Sequence, residues 1–286
     1  MRYERPQTLE DAAALLAAAD APAFVLAGGT DLLVRMQNDN FEADLIVDIK
    51  SIAGMGDIVQ SDAGFVIGAA VPCAALSEDA ALVAAWPGVV EAANLIGSTQ
   101  IQGRCTVAGN LCNASPAADS VPALVAADAR VRIAGPNGTR EAAVIDIPTG
   151  PGKTSLAKGE IIEAVLLPKR AAQAGDAYLR FIPRTEMDIA VVGVSVNLTL
   201  DAGGTVTSAR VALGAVGPTV MLVDAAAEAI IGTSLDDAAL DALAAACSAA
   251  STPIDDKRGT VAFRTKVAGV LARRAAQTAY TRAGGK

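Results

Sequence analysis

Two short glycine-bearing segments hold the residues best placed for chemistry, Ala27-Gly28-Gly29-Thr30-Asp31-Leu32 and Thr106-Val107-Ala108-Gly109-Asn110. In the first, an apolar run is broken by paired glycines, and Thr30 follows as a residue able to cap a helix start. Such a pattern turns backbone N–H groups and the positive end of a helix toward an anion. A plain tight turn between strand and helix has the same signature. The second segment is again small and glycine-bearing, and Asn113, Ser115 and Asp119 follow it on a polar stretch. Two such loops on separate units suit one elongated, doubly charged ligand of the kind a dinucleotide pyrophosphate presents. Asn113-Ala114-Ser115-Pro116 also reads as a turn before a helix, with Asp119 as its N-cap.

Other chemistries fall away. The chain contains no histidine, which excludes Ser-His-Asp and Cys-His catalysis, His-bearing zinc sites and imidazole acid–base work. Cys73, Cys105, Cys112 and Cys247 are scattered without a C-x-x-C pair; they match neither an iron–sulfur nor a zinc spacing and read as reduced thiols. Thr149-Gly150-Pro151-Gly152-Lys153-Thr154 contains Gly-Lys-Thr, but Ile147 stands where a P-loop has glycine, and Pro151 lacks an amide to donate. No G-x-G-x-x-G follows a strand. A reaction on this chain therefore uses a carboxylate, Lys, Cys or Tyr side chain, or a bound cofactor.

The elements that must position these loops follow from hydrophobic patterning. Residues 8–20 predict an amphipathic helix capped by Thr8, with Leu9, Ala12, Ala13 and Leu16 on one face. Buried strands at 23–27 and 45–49 enclose a short helix at 32–39, a βαβ unit. The middle third predicts a strand at 65–69, helices at 76–84, 86–96 and 120–127, and strands at 129–134 and 141–147. Between Ile96 and Asp119 the polar, glycine-punctuated stretch reads as a binding loop. From about residue 175, strands at 177–182, 189–200 and 205–214 predict an antiparallel meander, with helices at 221–231, 236–250 and 258–282.

Composition bounds the rest. A length of 286 residues points to about two domains. With 23 basic against 31 acidic residues, a net charge of −8 and 3% aromatics, the chain is not built for nucleic acid. No apolar run reaches the ~18 residues of a membrane span, no N-terminal signal is visible, and a cytoplasmic protein is expected. Eight basic residues and no acid lie between Lys257 and Lys286. They form either a solvated face balancing an acidic body or a docking surface for an acidic partner.

Four segments in one order carry a resemblance: AGGTDLLV at 27–34, GRCTVAGNLCNASPAADSVPAL at 103–124, GEIIEAVLLP at 159–168 and RFIPRTEMDIAVVGVSV at 180–196. Together they resemble the FAD-binding medium subunit of molybdenum hydroxylases, the group that includes carbon monoxide dehydrogenase and the flavin domain of xanthine dehydrogenase. ALGAVGPTV at 212–220 and DDKRGTVAFRTKVAGVLARRA at 255–275 extend the resemblance almost to the end of the chain.

The resemblance implies an α+β fold. Its FAD-binding domain, of the PCMH or vanillyl-alcohol-oxidase-like type, would span 1–174 as two α/β subdomains (about 1–55 and 56–174). A C-terminal domain at 175–286 would hold a three-stranded antiparallel sheet and a helical bundle. Ala27, Gly28, Gly29, Thr30, Asp31 and Leu32 would form the first FAD loop, and Thr106, Val107, Ala108, Gly109 and Asn110 the second. Ser115 would join the site and Asp119 would bond the flavin nucleotide. Ile96 and Ile162 match positions packing on the isoalloxazine, and Arg180 a basic position near it, while Arg184 and Asp188 read as structural.

Ala108 departs from the family's usual glycine, and its methyl fits if φ is negative. No catalytic side chain and no metal on this chain are implied, because the flavin carries the redox chemistry. A small [2Fe–2S] subunit and a large molybdopterin subunit would complete a dimer of heterotrimers, a heterohexamer, passing electrons to NAD⁺, oxygen or a quinone. A stand-alone flavin oxidoreductase and a non-catalytic nucleotide-binding assembly module are the alternatives.

Overall fold

The computed structural model describes residues 1–38, 41–184 and 186–285. The first unit runs β1 (Arg2–Glu4), α1 (Leu9–Ala18), β2 (Ala23–Leu26), α2 (Leu32–Arg35) and β3 (Leu45–Asp48). Thr8 caps α1, its hydroxyl accepting from the Asp11 amide at 3.1 Å, and Ala12, Ala13 and Leu16 are buried beneath it. The three strands are parallel in the order β1-β3-β2. β3 is buried along its whole length, as its unbroken apolar run requires. β2 is only half-buried, because one of its faces opens on a cleft. The helix expected over 32–39 ends at Arg35, and its expected last residue, Asp39, lies outside the described residues.

The second unit begins with β4 (Ile58–Ser61) and β5 (Gly64–Gly68), then α3 (Cys73–Glu78), α4 (Ala80–Ala85) and α5 (Pro87–Asn94). It continues through α6 (Thr99–Gln102), α7 (Val107–Cys112) and α8 (Ser120–Ala126). The strands β6 (Arg130–Gly135), β7 (Gly138–Ala143), β8 (Pro148–Gly150), β9 (Lys153–Thr154) and β10 (Ile161–Pro168) close it. Its main sheet is antiparallel in the order β4-β5-β10-β6-β7. The strand expected over 141–147 starts earlier, because Gly135 pairs with Gly138 in a tight hairpin, and Val144–Asp146 turns as a 3₁₀ helix. The stretch expected as one loop contains two short helices, α6 and α7. The Gly-Lys-Thr segment lies on the small β8–β9 hairpin, with no long helix after it.

In the C-terminal unit, β11 (Ala174–Phe181), β12 (Val192–Leu200) and β13 (Val206–Gly214) form the expected meander. Asp201 closes the β12–β13 turn by accepting from the amides of Gly203 and Thr205. The sheet has a fourth strand, β14 (Met221–Leu222), so the expectation of three is corrected. Met221 and Leu222 pair with Leu213 and Ala212 before the chain reaches Asp224, which postpones the helix expected from residue 221. That helix is α9 (Asp224–Glu228), followed by α10 (Asp237–Ala250) and α11 (Val261–Arg282), capped by Asp236 and Thr260. α11 lays Ala268, Ala272, Ala275, Ala276 and Ala279 against β11 and β12 in a second hydrophobic core. Alanine spacing lets the helix sit close to the sheet.

Beside the apolar packing of Tyr178, Ala212 and Val220 on the first core, a set of polar contacts joins the two cores. Asp119, before α8, accepts from the Tyr178 hydroxyl at 3.0 Å and from Arg180 at 2.7 Å, both on β11. At the other end of α8, Val125 and Ala126 offer their carbonyls to Arg210 and Asn197. Arg170 bonds Asp176 and Asn197 and stacks over Trp86, its guanidinium carbon 4.0 Å from the ring centroid. Arg282 closes the interface from α11 by binding Glu91 and the Asp176 carbonyl.

Candidate functional site

A cleft of about 270 Å³ opens between the first two units. One wall is β2 and the loop after it, Ala27 to Asp31, with Leu32 and Arg35 of α2. The other is Cys105, Thr106 and the start of α7, with Asn113 beyond it. Ala69, Ile96, Leu156, Ile161 and Ile162 supply an aliphatic floor. Ile161 and Ile162 both reach the cleft because β10 bulges between Ile162 and Ala164, which re-aims neighbouring side chains.

The first wall is held from behind. The Lys50 ammonium donates to the Ala27 carbonyl at 3.2 Å and to Asp48 at 2.7 Å, and Asp48 also accepts from the Tyr3 hydroxyl. Gly29 has φ +76, the left-handed turn that lets the chain swing from strand to helix. Gly28 serves a different purpose. A Cβ built on it would lie 2.1 Å from the Arg104 carbonyl oxygen, so its hydrogen is where the backbones of the two units touch. The amides of Gly28, Gly29, Thr30, Asp31 and Leu32 donate to no protein acceptor among the described residues. Donors left in this state beside a cleft are suited to an anion.

The facing segment differs from the loop that its sequence suggested. Thr106 is the N-cap of α7, its hydroxyl accepting from the Gly109 amide at 2.9 Å. Ala108 therefore has helical backbone, and its methyl is accommodated with a negative φ. Asn110 accepts from both the amide and the hydroxyl of Ser120, at 3.2 and 2.7 Å, which ties α7 to α8. Asn113 donates to the Asp31 carboxylate at 3.3 Å and so bridges the two walls. Burial raises the Asp31 pKa above the ordinary carboxylate value, with the nearby Arg35 charge opposing.

Of the expected site residues, Ala27, Gly28, Gly29, Thr30, Asp31, Leu32, Ile96, Thr106, Ala108, Gly109, Asn110 and Ile162 line this one cleft. Val107, Ser115, Asp119 and Arg180 are not among its lining residues. Val107 is buried in the first core. The Ser115 hydroxyl closes a local turn by accepting from Ala117. The Asp119 carboxylate accepts no capping bond from α8, because it is turned to Tyr178 and Arg180; burial lifts its pKa to about 6 against the pull of Arg180. Arg184 and Asp188 bond each other at the domain edge, and the Arg184 side chain, foremost, holds the Asp188 carboxyl down to about 2.

Several lining residues carried no signal as such. Phe24, Arg35, Cys105, Cys112 and Leu156 reach the cleft through tertiary placement. Arg35 alone was readable, since it stands four residues after Asp31 and shares its helix face. Cys105 meets Cys73, whose amide donates to the Cys105 carbonyl at 2.8 Å, although the two lie far apart in the chain.

Four of the eight basic residues of the C-terminal stretch form ion pairs within the molecule. Arg264 is buried and binds Asp256 with the carbonyls of Val191 and Ala215. Arg258 pairs with Asp188 and Asp256, Arg273 with Asp237 and Asp241, and Arg282 with Glu91.

Comparison with known proteins gives this geometry a family. Residues 1–170 match the FAD binding domain in molybdopterin dehydrogenase, and residues 177–279 match the CO dehydrogenase flavoprotein C-terminal domain. The chain is 34% identical to the carbon monoxide dehydrogenase medium chain of Afipia carboxidovorans, over 98% of this chain and 97% of that one. It is 32% identical to the putative xanthine dehydrogenase FAD-binding subunit of Escherichia coli K12, over 99% and 97%. Among solved structures, carbon monoxide dehydrogenase from Hydrogenophaga pseudoflava superposes with a TM-score of 0.94 at 31% identity, covering 99% of this chain and 98% of that one. The chain belongs to the FAD-binding subunits of the molybdenum hydroxylases, the oxidoreductase family of carbon monoxide and xanthine dehydrogenases.

Proposed function

We propose that this chain carries FAD as the electron-transfer subunit of a molybdenum hydroxylase. Electrons arrive from a small [2Fe–2S] subunit, fed by a large molybdopterin subunit that oxidises the organic substrate, and leave to NAD⁺, oxygen or a quinone. The assembly is a cytoplasmic dimer of heterotrimers. Among the described residues no helix is long and apolar enough to cross a membrane.

One observation carries the reading: a row of undonated amides, Gly28 to Leu32, faces α7 across a cleft that is aliphatic beyond them. These residues fit FAD. The amides of Gly28, Gly29, Thr30 and Asp31, with the segment from Thr106 to Asn110, would hold the pyrophosphate. Ile96 and Ile162 would pack against the isoalloxazine. Bound there, FAD supplies one- and two-electron redox chemistry. The protein's part is to bind, orient and exclude water. Lys50 holds the first loop by its Ala27 carbonyl, and Asn113 holds the two walls together. Asp119 and Arg180 act from behind α7, through α8 and its bond to Asn110. No side chain transfers a proton to the organic substrate, which is bound on another subunit.

The test is co-expression with the two partner subunits, followed by cofactor analysis and anaerobic addition of substrate. The complex should contain one FAD per copy of this chain, and its flavin band should bleach. The isolated FAD-loaded chain should not respond to substrate. A chain that takes up no added FAD, or one that oxidises substrate by itself, overturns the proposal.

A further inference from the structure

Cys105, on the wall facing the glycine loop, has a second sulfur for a neighbour. The Cys73 amide, the first of α3, donates to the Cys105 carbonyl at 2.8 Å. That bond holds the two Cα atoms within about 6.7 Å of each other, the summed reach of the intervening bonds. Disulfides span about 4.4–6.8 Å between Cα atoms. The two thiols share a hydrogen bond, which raises the Cys73 pKa and, against burial and the Asp31 charge, lowers that of Cys105. Among the described residues no group of three or more acids and thiols is placed to hold a metal ion, so the pair is not part of a metal site.

The cleft reaches one member of the pair. Cys73 is fully buried and is not a lining residue, whereas Cys105, 3% exposed, lines the cleft. A small oxidant in the open cleft therefore meets Cys105 first, and the more acidic thiol is also the one that reacts as thiolate. Cys105 stands one residue before the Thr106 cap of α7, and its Cα is 2.9 Å from the Cβ that Gly28 would carry. A ligand held between the glycine loop and α7 covers this approach.

We propose that Cys73 and Cys105 form a redox-sensitive pair that hydrogen peroxide closes to a disulfide when the cleft is empty, and that a bound dinucleotide protects. The Cys105 sulfur attacks the peroxide: an S–O bond forms, the O–O bond breaks, and the thiol proton leaves with the departing oxygen as water. The sulfur is oxidised by two electrons to a sulfenic acid and the peroxide is reduced. The Cys73 sulfur then attacks Cys105; the S–S bond forms as the S–O bond breaks, and the Cys73 proton leaves with the hydroxyl as a second water. The disulfide ties the start of α3 to the cleft wall across the segment that contains Ile96. Protection rests on the FAD reading above; the pairing does not.

The test treats the full flavin-free chain with a small excess of hydrogen peroxide, alkylates the remaining thiols and maps a non-reducing digest by mass spectrometry. A peptide pair joined through Cys73 and Cys105 should appear. The thermal midpoint should rise by roughly 4–8 °C for a closed loop of about 30 residues, and dithiothreitol should reverse both changes. Cys73→Ala should halt at a Cys105 sulfenic acid that dimedone traps, while Cys105→Ala should leave Cys73 unmodified at the same dose. Circular dichroism establishes that both variants are folded, and the wild-type digest decides the pairing without them. Saturating FAD, seen bound by its absorbance, should slow the cross-link at least about tenfold by closing access to the thiol. Absence of the joined peptide from the wild-type chain overturns the proposal, as does dimedone capture at Cys73 in preference to Cys105, or an equal cross-linking rate with FAD bound. A chain that binds no FAD overturns the parent reading instead, and the cross-link in the flavin-free chain is scored independently of it.

Discussion

Replacing Gly28 with alanine is the sharpest test of how the cleft is built. The new methyl carbon would stand 2.1 Å from the Arg104 carbonyl oxygen, 2.8 Å from its carbon and 2.9 Å from the Cys105 Cα. Comfortable carbon contacts begin near about 3.5 Å, so the two backbones must part by roughly 1 Å. All three obstructing atoms are backbone, and no rotamer change relieves them. Overpacking of this kind costs about 2–3 kcal/mol, which lowers the thermal midpoint by roughly 4–10 °C. Parting the walls also spoils at least one hydrogen bond to an anion, for about a tenfold or greater loss of FAD affinity. Gly29→Ala is the control. Its φ of +76 imposes about 1 kcal/mol of strain, but its close neighbours are the ends of the Leu26 and Leu33 side chains, which rotate away. Thermal melts followed through the single tryptophan, buried Trp86, with FAD titration of the deflavinated chain, give both quantities. If Gly29→Ala proves as damaging as Gly28→Ala, or Gly28→Ala melts and binds like wild type, the wall-to-wall contact does not govern the site.

Four further outcomes are expected. Arg180→Gln leaves the buried Asp119 carboxylate, 10% exposed at its side chain, without its charge partner and should destabilise by about 3 kcal/mol in urea unfolding at neutral pH; Arg180→Gln combined with Asp119→Asn should cost less than the sum of the single changes. Because the folded Asp119 pKa is raised to about 6, its contribution is full below the unfolded value and lost as pH rises through 6; Asp119→Asn should therefore flatten the stability profile between about pH 4 and 6. Arg273→Glu, which sets three acids together with Asp237 and Asp241, should lower stability by about 1 kcal/mol in a salt-sensitive way, whereas Arg274→Glu should do little; unchanged complex formation with both reversed removes the docking role for the basic stretch. Ala108→Gly should cost about 1 kcal/mol, as glycine does in a helix, with FAD affinity within about threefold by titration; a large gain in affinity would mean that the methyl obstructs the cofactor.

The parts of this structure that were readable in advance are those fixed by local chemistry. The Thr8 cap with its buried alanine face, the apolar β3, and the Asp201 turn all follow from neighbours in sequence. The glycine loop was legible as an anion site, but the reason for Gly28 was not: the atom it must avoid belongs to Arg104, in another unit. α7 was hidden because Val-Ala-Gly-Asn-Leu-Cys has poor helix propensity and is held by the Thr106 cap and by Asn110 on Ser120. Asp119 read as a cap because aspartate before a helix usually is one. Its partners, Tyr178 and Arg180, arrive from a strand of the other domain, and nothing local announces them. The β14 residues read as helix in the sequence because only pairing with β13 distinguishes two residues of strand from a first helical turn.

The placement of α8 gives the C-terminal domain a mechanical role. Its first turn is gripped through Asp119 and its last carbonyls through Arg210 and Asn197, while Ser120 on its flank holds Asn110 of the cleft wall. The helix is thus a strut with its abutment in the β11–β13 sheet. Any load on that sheet, including a docked neighbour, is transmitted to one jaw of the cleft while the glycine jaw stays anchored to the parallel sheet. The width of the cofactor's berth is set jointly by two domains, and neither alone fixes it.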